Sequence, residues 1–164
     1  MVWTDEMIHQ LIVCPKIVVE PPKETNKGGR GGFVKKSFTL ASQDGQHMFS
    51  GFITQSVTFP ENFSIGLVYS PKSEKGSTVL LRCNGKHGGT IQHPHHAFFH
   101  IHYAGADRIN NGLKAEGDIR ITEEYATMDT AFEYFVDLVN IEASDRNKML
   151  PSKKIQTDLF DNEY

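Results

Sequence analysis

What this chain has little of narrows its chemistry early. It has two cysteines, Cys14 and Cys83, too few for a disulfide framework. Both read as small reduced core residues, with a pairing between them left open. Long apolar runs are missing, so no segment has the length to span a bilayer. The N-terminus also lacks the charged start and apolar middle of a signal peptide. A cytoplasmic protein with no membrane partner is the expectation. Excess positive charge is missing too: the formal net charge is −3, so no bulk field would draw the whole molecule onto nucleic acid. Such a contact would be local, at Lys27, Arg30, Lys35 and Lys36, or at Lys153 and Lys154. The glycine-rich stretch Lys23 to Gly32 lacks the Gly-x-x-x-x-Gly-Lys-Ser/Thr phosphate-binding pattern and reads as a mobile loop.

What is present suits one ordinary domain, since 164 residues with a 38% hydrophobic share can build one real core. Thr4 to Val13 predicts a short helix. Thr4 caps it, and Met7, Ile8, Leu11 and Ile12 form its apolar stripe. Lys16 to Glu20 predicts a brief strand stopped by Pro21 and Pro22. Phe33 to Ala41 and His47 to Ser56 alternate around the turn Gln43-Asp44-Gly45-Gln46, a hairpin pattern. Ile65 to Tyr69, Thr78 to Asn84, Phe98 to Tyr103 and Asp118 to Ile121 continue the meander. Asp129 to Ile141 closes it as a helix, with Phe132, Phe135, Val136 and Val139 on one face. The predicted class is α+β: an antiparallel meander of about five to six strands, with a short N-terminal helix and a C-terminal helix packed on one face. Residues 1–142 would form this single domain, and residues 143–164, rich in Ser, Asp, Arg, Asn and Lys, a polar flexible tail.

Histidine is the concentrated resource. Six of the eight histidines fall between His87 and His102; His9 and His47 read as structural. A neutral imidazole is the commonest metal ligand, and its pKa lies nearest neutrality, so the run points to proton transfer, metal binding or anion recognition. Strand alternation places Phe99, Ile101 and Tyr103 on a core face. Phe98, His100 and His102 then point to an open face, the two histidines roughly 6.5–7 Å apart. On the preceding strand Arg82 and Asn84 point outward, so pairing would set Arg82 beside the histidines.

Two chemistries follow. In the leading one, His100, His102 and Arg82, with His96 as the neighbouring ring, cleave a phosphodiester without a cofactor. One ring would deprotonate the 2′-hydroxyl, another protonate the leaving oxygen, and Arg82 hold the developing charge. RNA or another nucleic acid would be the substrate. In the alternative, His100 and His102 join His93 or His95 (His96 and Asp107 being further possibilities) around a divalent metal, zinc or similar, with an open position.

The segments Leu80-Leu81-Arg82, Phe99-His100-Ile101-His102 and Asn140-Ile141 resemble, over about residues 78–141, a group of small bacterial and prophage proteins. That group is similar to the toxin components of TumE-type toxin–antitoxin pairs. The resemblance implies a toxin-like nuclease, carried by a prokaryote or phage, with an antitoxin as partner. Further on, Gln156-Thr157-Asp158-Leu159-Phe160 resembles the pentapeptide by which bacterial proteins bind the replication sliding clamp. Gln156 and Asp158 would orient it while Leu159 and Phe160 fill an apolar pocket. A non-catalytic module recruited to the clamp is the third reading.

Overall fold

Strand β1 (Lys16–Glu24) opens a sheet in which each strand pairs antiparallel with the next in chain order. The computed structural model describes residues 1–150. After β1 come β2 (Phe33–Ser42), β3 (Met48–Ser56), β4 (Phe63–Tyr69), β5 (Thr78–Asn84), β6 (His100–Tyr103) and β7 (Asp118–Ile121). Helix α1 (Asp5–Val13) precedes the sheet; α2 (Ala106–Asn110), α3 (Met128–Leu138) and α4 (Arg146–Met149) are the others. The α+β class with N- and C-terminal helices is as expected, and the sheet has seven strands rather than five to six.

Local chemistry accounts for the elements. Thr4 Oγ1 accepts from the Met7 N–H at 3.1 Å and starts α1. Thr127 and Thr130 cap the start of α3 reciprocally. Strand β1 runs on through Pro21 and Pro22, where the sequence predicts a stop. It is an edge strand, and register shifts on either side of Glu20 absorb the residues that cannot donate. The glycine-rich stretch, expected as a mobile loop, closes the β1–β2 hairpin as a turn. There the Asn26 amide donates to the Arg30 and Phe33 carbonyls and accepts from the Lys35 N–H.

One face of the sheet carries the core. Phe38, Leu40, Ile65, Leu67, Cys83 and Ile101 are buried with Phe135 and Val136 of α3. Phe38 meets Phe135 edge-on at 6.0 Å. Gly51, opposite Phe38 on β3, is where that ring lies, and a Cβ there would overlap it. Both cysteines are free, and burial pushes the Cys83 thiol up to about 12.

Lys16 is fully buried, its Nζ donating to the carbonyls of Ile12 (2.6 Å), Cys14 (2.9 Å) and Val139 (2.9 Å). One ammonium thus serves the C-terminal ends of both α1 and α3, where unpaired carbonyls and the helix dipoles favour a cation. The core also extends beyond the composition shift at residue 143. Asp145 accepts from the Val18 N–H at 2.7 Å and Met149 is buried, so residues 143–150, expected in the tail, pack on β1. The clamp-like residues Gln156, Asp158, Leu159 and Phe160 lie outside the described residues. Among the described residues no helix is long and apolar enough to cross a membrane.

Candidate functional site

The sheet face opposite the one that packs on α3 carries the histidines. Strand β6 starts at His100, and Ile101 turns into the core opposite Cys83, while Arg82 faces His102 and Asn84 faces His100 across the β5–β6 ladder. Arg82 is therefore beside the histidine pair, as the alternation implied. The face is not open, however. His100 is 0% and His102 8% exposed. The connection from β5 folds back over them, held by the His87 N–H on the His96 carbonyl (2.9 Å) and by a 3-10 turn at Pro94–Ala97. The chain between α2 and β7 covers His102 with Glu116. Phe98, expected beside the histidines, lies outside the strand and is exposed, and Phe99 stacks on Phe63.

This back-folding gathers all six histidines. Ring centroids are 5.0 Å apart for His100 and His102, 5.1 Å for His95 and His100, and 6.0 Å for His95 and His102. His96 lies 3.9 Å from His87 and 4.9 Å from His93. Two trios, His95–His100–His102 and His93–His95–His96, each bring one nitrogen per ring within 4.8 Å of the others. His95 belongs to both. Asp107, weighed as a ligand from its spacing, belongs to neither trio; it sits on α2.

A backbone carbonyl fixes the tautomer of His100 firmly and favours the same one at His102 through a longer contact. His100 Nδ1 donates to the Phe98 carbonyl at 2.8 Å, and His102 Nδ1 faces the Glu116 carbonyl at 3.4 Å. Each Nε2 is then the atom with the free lone pair. At His100 that lone pair faces the Asn84 amide nitrogen at 3.4 Å, a long and weak contact.

Burial and crowding keep these rings neutral. Burial pulls His96 and His100 down to about 4 and His102 to about 3, with neighbouring rings adding to it and Arg82 acting on His102. His87 and His95 are shifted the same way, burial again first.

No protein family, curated protein or solved structure matches this chain.

Beside the rings opens a cleft of about 720 Å³, lined by Arg82, His95, His102, Arg108, Lys114 and Glu116 among others. Sequence reasoning assigned no role to Glu116, Arg108 or Lys114. They come from the polar connection around α2, where no periodicity marks a charged residue as inward. His87 had a signal, since it opens the histidine run. The arrangement puts neutral nitrogen ligands and cations in one cleft.

Proposed function

We propose that this chain is a metal-binding protein that holds a transition metal, zinc or a similar ion, on His95, His100 and His102. The supporting observation is the pair of buried imidazoles on β6 whose Nδ1 atoms are engaged by backbone carbonyls while His95 approaches from the covering turn. Metal-bound histidines have this outer-shell arrangement: a hydrogen bond on one ring nitrogen fixes the tautomer and aims the other. Three protein ligands leave a position for water or substrate, and an ion there would act as a Lewis acid or lower the pKa of a bound water. His93 and His96, sharing His95, form a more exposed second trio on the same turn.

The setting we propose is a small prokaryotic or phage accessory protein. Metal-free cleavage of RNA by His100, His102, Arg82 and His96 has less support, because one ring must then carry a proton near neutrality. The surroundings of these rings favour the neutral form.

The test is a zinc titration of the metal-free full chain against a chromophoric chelator. One tightly bound equivalent is expected, lost in His100→Ala/His102→Ala while the circular dichroism spectrum is retained. His95→Ala, in the partly exposed turn, should weaken it with little effect on folding. No competition with the chelator would overturn the metal reading. RNA cleavage in EDTA that vanishes in the double variant would put the acid–base reading in its place.

A further inference from the structure

The cleft beside the histidines has more cation than its own acids neutralise. Among the described residues lining it, Glu116 is the sole acid, against Arg82, Arg108 and Lys114. Glu116 Oε1 lies 3.4 Å from Arg82 Nε and 3.6 Å from Lys114 Nζ, so one carboxylate oxygen is shared by two cations. The sharing is incomplete. Arg82 Nε is buried and makes no hydrogen bond among the described residues, the 3.4 Å approach being an ion-pair contact of poor direction.

Arg108 is held in place with no ion-pair partner among the described residues. Its Nε donates to the Lys114 carbonyl at 2.7 Å, which fixes the side chain through an uncharged partner. The side chain lies across Gly117, where a Cβ would overlap Nε. Gly117 does not have positive φ, so the glycine is not needed for the backbone there. What it provides is room for the arginine to lie flat.

We infer that this cleft binds a phosphate group, with Arg82, Arg108 and Lys114 as its cation wall. Two guanidinium forks and an ammonium present donors from several directions, which suits a tetrahedral dianion better than the planar two-oxygen face of a carboxylate. Ser64, Thr54 and Asn62 add neutral polar groups to the same lining. The inference deepens the metal reading and rests on it for one point, that the phosphate lies next to an ion on the histidines. The cation wall itself is present without the ion.

The experiment is an amide and arginine side-chain NMR titration of the full chain with inorganic phosphate. It is run metal-free in EDTA and with one equivalent of zinc, with acetate at matched ionic strength as control. Saturable shifts at Arg82, Arg108 and Gly117 are expected, with acetate clearly weaker. Arg108→Gln should weaken phosphate by about tenfold, as expected for loss of a charged hydrogen bond. Gly117→Ala should do the same while keeping every charge, because it displaces the guanidinium rather than removing it. Shifts that never saturate, equal binding of acetate, or unchanged affinity in both variants would overturn the inference. Zinc uptake without a phosphate site would overturn it and leave the metal centre standing. Saturable phosphate binding without zinc uptake would overturn the metal reading alone.

Discussion

Ser64 Oγ donates to Asn84 Oδ1 at 2.7 Å, and that bond turns the amide nitrogen toward His100 Nε2, 3.4 Å away. The amide therefore supports the tautomer but occupies the lone pair that a metal would use. The Phe98 carbonyl pins the same tautomer independently. Asn84→Ala should then leave zinc affinity equal or higher, read by chelator competition. A loss of about ten- to a hundredfold, the usual effect of removing a supporting partner, would show that Asn84 helps rather than competes.

Acid should destabilise the metal-free fold. His96 and His100 are held at about 4 and His102 at about 3, each below the ordinary 6.5. Between those values the unfolded chain binds more protons than the folded one, so stability falls as pH drops from about 6.5 toward about 3, and the histidine contribution is level above. Urea unfolding should give a lower free energy at pH 5 than at pH 7, and His102→Gln should shrink the difference. Equal values at the two pH values in the wild type would contradict this.

Lys16 has an alkaline window with the same sign. Burial lowers it from 10.5 to about 8, against three carbonyl acceptors and the Phe49 ring 4.8 Å away. From about pH 8 to 10.5 the unfolded lysine keeps a proton that the folded one has lost, so its contribution to stability grows with pH there. Lys16→Met, which strands three carbonyls, should lose about 2–4 kcal/mol at pH 7. The gap between wild type and variant should widen toward pH 10; a constant gap would mean that the buried amine keeps its proton throughout.

Met149 tests where the domain ends. It is 1% exposed on a four-residue helix that the composition assigns to a tail. Met149→Ala should cost about 2–4 kcal/mol by denaturant unfolding, the range for emptying a core site. A change under about 0.5 kcal/mol would return residues 143–150 to the surface, where most substitutions are that mild.

Much of the fold was legible because alternation and capping are local. Thr4, the β2–β3 turn and the stripe on α3 each declare themselves within a few residues. The facing of β6 was legible for the same reason, since Ile101 and His102 differ by one step of the pleat. Their burial was not, because it depends on the loop from β5 returning over the sheet, and no short-range pattern encodes a return. Glu116 and Arg108 were illegible for a related reason: each is an ordinary charged residue until the chain beyond β6 brings it to Arg82 or Gly117. Lys16 carries no local mark either: only the convergence of two helix C-termini makes it interior.

Strand β6 is four residues long, His-Ile-His-Tyr, with an imidazole at every second position. A slip of one residue against β5 would drive both imidazoles into the apolar layer and leave Ile101 in the polar cleft. The exchange would be costly, since each buried ring nitrogen would need a new hydrogen-bond partner. The alternation would then favour one alignment of β6 over its one-residue slip. Replacing both by leucine would remove that preference and leave a strand with two nearly equivalent ways to dock, so a chain stripped of its chemistry would also lose part of the information that selects a single fold.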